Sequence, residues 1–376
     1  RHTSYQHPHR QTVEHLPVVR LHYLYEIKKK GEIKLPSHCL SIARGSDEKL
    51  YAACVGGGVY SLDNKGNKNK ITGHDNFVSG VNVSHDSIVS ADYDGIIKWT
   101  SIESGKEQRK IKAHEFWSWQ TKVSPDSKMI GSVTGQYLVG GYKYEPFTET
   151  EPSIKVYDAS SGELIHKFSH VPPVQSLAFS NDSRYLAAGN LMGEVRVWDL
   201  SSGKMYTSWN TPSFTGWGII KGHYYTGGVF SMEFSPDDSS IYLAGMGSTR
   251  DPAAGNGKQL WEEFSWKDQG MSPKRERSAI DSQIGQGLME SLSFHPSGAF
   301  FVMAGRMFKG NWNIALFDAE KGNILCSQNS GIRCSDIVFS EDGTRFYVGG
   351  GKSQGKKKGD GFGSWGRIQE FEINIS

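Results

Sequence analysis

Seven times in this 376-residue chain a short apolar run breaks at a turn of Ser, Pro, Asp, Asn or Gly before a second apolar run begins. The clearest copies are Val123-Ser-Pro-Asp-Ser, Phe179-Ser-Asn-Asp-Ser, Phe234-Ser-Pro-Asp-Asp, Phe294-His-Pro-Ser-Gly and Phe339-Ser-Glu-Asp-Gly. Weaker ones stand at Val83-Ser-His-Asp-Ser and Ala43-Arg-Gly-Ser-Asp. Between positions 43, 83, 123, 179, 234, 294 and 339 the steps are 40, 40, 56, 55, 60 and 45 residues. A unit of about 40–45 residues built from four short strands is a propeller blade. One blade cannot bury both faces of its sheet alone, so the copies must stack and close into a ring. The expected fold is all-β: a seven-bladed β-propeller of four-stranded antiparallel blades over residues 32–376, with an N-terminal arm at 1–31.

The ends of the chain suggest how the ring closes. A final strand at 367–373 leaves the last blade without an outer strand, and residues 32–35 can supply it. Closure of that kind removes two exposed sheet edges. Lys28-Lys29-Lys30-Gly31 reads as a turn before this strand, which leaves an earlier alternating run at 18–27 surplus. Residues 1–19 carry His2, His7, His9 and His15, the composition of a terminal arm or of a metal-binding tract. The chain begins at Arg1, so an export signal upstream stays open and the compartment is undetermined.

Composition limits the partners. Forty-two basic residues face 40 acidic ones, a net charge of +2, so no whole-molecule field draws the protein to nucleic acid. No apolar stretch approaches the roughly 20 residues that span a bilayer. Cys39, Cys54, Cys326 and Cys334 include no C-x-x-C pair and read as buried free thiols. Ring closure would bring Cys39 and Cys334 into neighbouring blades, which leaves a disulfide or metal site between them open.

The strand ends carry further motifs. Trp198-Asp199 closes the third strand of blade 4, with Tyr157-Asp158 and Phe317-Asp318 as aromatic variants. Gly73-His74, Ala113-His114, Ser169-His170 and Gly222-His223 open several blades. On these residues the chain resembles the WD-repeat family over roughly 32–376, as a degenerate member closer to bacterial ones than to the most regular eukaryotic ones. The resemblance implies a buried His, Ser or Thr, Asp and Trp network. Blade 4 keeps His170 and Trp198 but has Ala188 and Met192 where the Ser and Asp are expected. Blade 2 keeps His74, Ser90 and Asp94, yet its Trp99 comes one residue early.

The resemblance also implies that the long second-to-third-strand turns and the segments leading into the inner strands share one face, the top. Insertions fall there at 136–152, 248–259, 306–312, 352–366 and 210–228, and such one-sided insertions mark a binding face. The first carries Tyr142 and Tyr144, the last Trp217 and Tyr224, and the 352–366 loop Lys356, Lys357 and Lys358. On the opposite face 267–279, with Lys274-Arg275-Glu276-Arg277, reads as a charged loop. By register Ser37, Phe77, Trp117, Pro173, a residue near Thr226, Leu288 and Arg333 ring the channel mouth. Phe116 and Trp119 stand beside them, which makes the mouth aromatic.

No Gly-x-Ser-x-Gly elbow, His-Glu-x-x-His or phosphate-binding Gly-Lys-Ser/Thr motif occurs. No catalytic, metal or cofactor residue is assigned. The expected function is a non-catalytic scaffold that binds a protein or peptide on its top face, within a larger complex. The candidate residues are Phe77, Phe116, Trp117, Tyr142, Tyr144, Trp217, Tyr224, Arg306, Arg333, Lys356, Lys357 and Lys358. Two alternatives are a hydrolase or lyase seated in the channel and an anionic-polymer binder acting through the basic loops.

Overall fold

Strands pair in chain order within each repeat, because hairpin turns join neighbouring apolar runs. The computed structural model describes residues 23–136, 148–214, 228–247, 257–268, 270–355 and 363–376, with the backbone of 216–217 and 224–225. Among the described residues the strands form seven four-stranded sheets and one two-stranded ribbon, and no α-helix. No helix among them is long and apolar enough to cross a membrane.

Blade 4 illustrates the plan with Val174–Phe179, Tyr185–Asn190, Glu194–Asp199 and Lys204–Asn210. Its two inner strands are buried at every position because neighbouring blades cover both faces of the sheet. The inner strands of the other blades are Cys39–Arg44, Val78–Ser84, Ser118–Val123, Val229–Phe234, Gln286–Phe294 and Arg333–Phe339. Outer strands such as Glu107–Lys112 of blade 2 stay largely exposed. Large buried rings, including Trp261, Trp266, Phe301 and Phe317, fill the space between blades 4, 5 and 6. Each contributes about 1.5–3 kcal/mol by leaving water.

Blade 7 is completed from the N-terminal side. Tyr25–Leu35 pairs antiparallel with Gly366–Ile375, from Tyr25 opposite Ile375 to Leu35 opposite Gly366. The expected turn at Lys28–Gly31 is instead a bulge between Lys29 and Gly31 inside one continuous strand. An extra residue in an edge strand bends it without ending it, so residues 25–31 belong to the blade and not to an arm. Residues 1–22 lie outside the described set, along with the His-rich tract and the start of the run at 18–27.

Every inner strand carries a bulge at the same height. The register slips between Cys39 and Ser41, Val78 and Gly80, Ser118 and Gln120, and Val174 and Ser176. It slips again between Val229 and Ser231, Met289 and Ser291, and Cys334 and Asp336. The residue after the bulge can then reach the next blade. Ser41 Oγ accepts from Val81 N–H at 3.3 Å, and Gln120 Oε1 from Leu177 N–H at 2.8 Å. Ser231 Oγ accepts from Leu292 N–H at 3.0 Å, and Asp336 Oδ2 from Ile42 N–H at 2.9 Å across the closing seam.

The buried polar networks differ in part from expectation. In blade 2, His74 Nε2 lies 2.8 Å from Ser90 Oγ and Nδ1 lies 2.8 Å from Asp92 Oδ2, not Asp94. Asp94 is exposed and takes the Asn76 amide at 2.9 Å. Asp92 is the residue that faces Val78 in the ladder, and Asn190 holds the same place opposite Val174 in blade 4. Asn190, and not Met192, therefore replaces the acid. Its Oδ1 accepts from Met192 and Glu194 N–H, as Asp92 Oδ1 does from Asp94 and Ile96 N–H. Trp99 does fall one residue early: it faces Val89, whereas Trp198 faces Leu186. Its indole N–H therefore donates to Ala159 O in blade 3, at 2.8 Å.

All four cysteines are free. Cys39 and Cys54 are cross-strand partners within blade 1, and Cys334 Sγ sits 3.4 Å from Ser330 Oγ. The Cys39–Cys334 bond left open by the sequence is not formed. Lys274–Ser278, expected as a loop, is the outer strand of blade 5. Its arginines lie on acids of the neighbouring strand: Arg275 on Glu262 at 3.1 Å and Arg277 on Glu263 at 2.6 Å.

Candidate partner-binding site

Antiparallel pairing sets the residue before each inner strand beside the residue after the second strand. Val78 opposes Asp92, so Phe77 and Tyr93 emerge side by side, and Tyr93 N–H donates to Phe77 O at 3.0 Å. Their ring centres are 5.4 Å apart. Tyr93 stacks on Trp117 of the next blade at 4.4 Å with an 11° tilt. Trp117 also stacks on Phe116 at 5.1 Å and stands 6.0 Å from Trp119. Five aromatic rings thus make one surface over blades 2 and 3. Phe77 is 45% exposed and the other four are half-buried.

The opposite side of the mouth is ionic. Arg333 donates from Nε to Glu290 Oε2 at 2.9 Å and from a terminal nitrogen to Glu290 Oε1. This two-point geometry fixes the guanidinium plane. His38 Nε2 lies 2.7 Å from Ser335 Oγ, and its ring centre is 5.9 Å from that of Trp365. Burial, with Arg333 nearby, pushes the His38 imidazole down to about 4 against the pull of Glu290, so the ring is neutral at pH 7.

The two sides meet at Tyr93. Burial raises its hydroxyl to about 12, with the Glu290 charge adding to the rise and Arg333 opposing it. Below the mouth the seven bulged residues, Leu40, Ser79, Trp119, Gln175, Phe230, Glu290 and Ser335, line a channel cavity of about 350 Å³. Glu233 lies in the same wall. Burial raises its carboxyl to about 7, although Phe294 N–H and Lys122 favour the charged form.

Several sequence-predicted site residues come together here. Phe77, Phe116 and Trp117 share the aromatic surface, and Arg333 holds the facing rim. Arg306 lines an adjoining groove with Arg333. Trp217 and Tyr224 face each other in the two-stranded ribbon, and their side chains lie outside the described residues. Tyr142, Tyr144, Lys356, Lys357 and Lys358 also lie outside them. Of the register positions, blade 1 contributes His38 and not Ser37, because its inner strand starts at Cys39. In blade 5 Gly228 precedes the inner strand, and Thr226 is outside the described residues. The insertion at 306–312 is in part strand, since Phe300–Lys309 extends the ladder with Gln286 opposite Lys309.

Sequence reasoning missed Tyr93, His38 and Glu290. The signal for Tyr93 was available. Asp92-Tyr93-Asp94-Gly95 is a turn whose aromatic residue follows the strand end by one position, on the same rim as Phe77.

Comparison with known proteins agrees with this geometry. The model of the WD domain, G-beta repeat, matches residues 162–199. That span includes the outer strand Leu164–Phe168 of blade 3 and ends with the third strand of blade 4. Sequence repeat and blade are therefore offset by one strand, the offset that leaves Tyr25–Leu35 to complete blade 7. The chain is 27% identical over 153 residues to Protein ROOT INITIATION DEFECTIVE 3 of Arabidopsis thaliana, over 39% of this chain and 28% of that protein. It is 24% identical over 177 residues to Apoptotic protease-activating factor 1 of Homo sapiens, over 46% and 13% of the two chains. A further match, to Telomerase protein component 1 of Rattus norvegicus, has 23% identity over 151 residues and covers 39% and 5%. The chain spans a minor part of each relative's length.

Proposed function

Because this chain is a WD-repeat protein with a seven-bladed propeller, we propose that it is a non-catalytic interaction module that binds a protein partner at the top-face channel mouth. The observation that carries this reading is the five-ring aromatic surface formed by Phe77, Tyr93, Phe116, Trp117 and Trp119. A blade needs its apolar residues between sheets, yet four of these rings stand beyond the strand ends and the fifth, Trp119, projects from the bulge of an inner strand. Clustered, partly exposed aromatic residues beside a concavity are the kind that dominate protein interfaces. The names of two relatives, a protease-activating factor and a telomerase component, suit a part that works inside a larger assembly.

The channel carboxylates support a binding role over catalysis. Asp336 accepts from Ser41 Oγ and from Ile42 and Ile337 N–H, Glu290 is held by Arg333, and Glu233 accepts from Phe294 N–H. Among the described residues each of these three carboxylates has a partner within the fold.

The test is capture of partners from source extract by wild-type protein and by Phe77→Ala with Trp117→Ala, the bound proteins being identified by mass spectrometry. Specific partners should be lost in the double variant while its melting temperature stays within a few degrees. Equal capture by both proteins sinks the assignment to the mouth.

A further inference from the structure

A groove of about 440 Å³ opens between blades 6 and 7 and extends to His38 of blade 1. Among the described residues its charged lining residues are Arg306, Arg333 and Lys352, with no Asp or Glu beside them in the lining. Glu290, from the channel side, holds Arg333 through two nitrogens and leaves the third without a hydrogen bond among the described residues. The side chain of Arg333 is 44% exposed, so that nitrogen is placed for a second anion. Lys352 is exposed and forms no ion pair among the described residues.

One wall is tied together by hydrogen bonds. The Asn313 amide nitrogen lies within 3.1 Å of Gly305 O, Ser330 Oγ and Ile332 O, which share its two hydrogens, and its oxygen accepts from Ser330 N–H. Trp365 adds an apolar plane against the neutral His38 ring.

We propose that this groove binds an acidic segment of the protein partner, its carboxylates taken by Arg333, Arg306 and Lys352 while the neighbouring residues reach the aromatic surface. The proposal rests on the mouth being the partner site and adds the chemistry of what enters beside it. A peptide fits better than nucleic acid on two grounds. The chain carries a net charge of only +2, and the cations are gathered in one groove large enough for a few side chains.

The test uses a fluorescein-labelled hexaglutamate peptide at low ionic strength, read by anisotropy, with hexaglutamine as the neutral probe. Hexaglutamate should bind and hexaglutamine should not. Arg306→Glu with Lys352→Glu should weaken binding by about tenfold or more, because two attractions become repulsions. Lys110→Glu with Lys112→Glu, on the outer strand of blade 2, should change it less than twofold. Lys352→Gln alone, a mild surface change, should give an intermediate loss and guards against misfolding of the double variant.

Three results overturn the proposal: no binding of hexaglutamate by the wild type, equal losses at the groove and at blade 2, or tighter binding of a single-stranded hexanucleotide. Partner capture separates this idea from the previous one. If Phe77→Ala with Trp117→Ala abolishes capture and the groove variants do not, the mouth stands and the groove falls.

Discussion

Asp336 Oδ2 accepts hydrogen bonds from both Ile42 N–H, at 2.9 Å, and Ser41 Oγ, at 3.1 Å, and so joins the last inner strand to the first. Its other oxygen accepts from Ile337 N–H at 2.9 Å. Removing this carboxylate leaves a buried amide without a partner at the place where the ring closes. Asp336→Ala should therefore cost about 2–3 kcal/mol, and Asp336→Asn less, because the amide oxygen keeps one acceptor. Urea denaturation of both variants measures the difference. Equal stabilities for alanine and asparagine would show that the acceptor is not what matters.

Three histidines make the fold sensitive to acid. Burial lowers the imidazoles of His38, His114 and His170, to about 4 for His38 and about 3 for His170. In the unfolded chain each returns to about 6.5. Between those values the unfolded state binds protons that the native state refuses. The stability they contribute is complete above pH 6.5 and is lost as pH falls toward 4 and then 3. Each group adds a slope of about 1.4 kcal/mol per pH unit in its window. His170→Gln, which can still receive from Val171 N–H and donate to Ala188 O, should flatten that loss. Parallel pH profiles for variant and wild type would refute this.

Gly95 tests how closely the chain packs at a blade's top turn. Its φ is +75°, and a Cβ there would stand 2.0 Å from His114 O. The carbonyl belongs to the segment leading into blade 3 and cannot move without displacing Phe116 and Trp117. Gly95→Ala should lose about 1–3 kcal/mol and loosen the aromatic surface as well. Thermal melting reads the first effect and near-ultraviolet circular dichroism the second. A variant with wild-type melting and spectrum counts against the close contact.

A chain that starts at residue 36 lacks the outer strand of blade 7. Leu35, fully buried in the cluster with Cys39, Ile42 and Ile368, goes with it. The truncated protein should melt well below the intact chain and self-associate through the bared edge of Gly366–Ile375. Light scattering and melting curves measure both effects. A monomeric product with an unchanged melting point contradicts the role given to this strand.

What the sequence makes legible follows from where repetition acts. The inner strands must fit between two neighbours, so their apolar runs and turns recur, and Phe77, Trp117 and Arg333 could be placed by counting from them. Outer strands face water and lack that pattern. Lys274–Ser278 is charged enough to read as a loop, and the bulge at Lys29 and Gly31 resembles a turn because both use a glycine beside lysines. The mouth depends on a second kind of information. Tyr93 meets Trp117 only after two blades pack, and Arg333 meets Glu290 only after blades 6 and 7 do. Neither pairing has a local signature.

The seven equivalent bulges carry Leu40, Ser79, Trp119, Gln175, Phe230, Glu290 and Ser335. The scaffold repeats around its axis, but these side chains, Ser79 and Ser335 apart, do not. A ligand approaching along that axis meets nearly the same backbone at each of seven rotational settings, with a different chemical environment at each. The inner wall therefore acts as a compass: it distinguishes one azimuth from the other six on a frame that would otherwise accept them all.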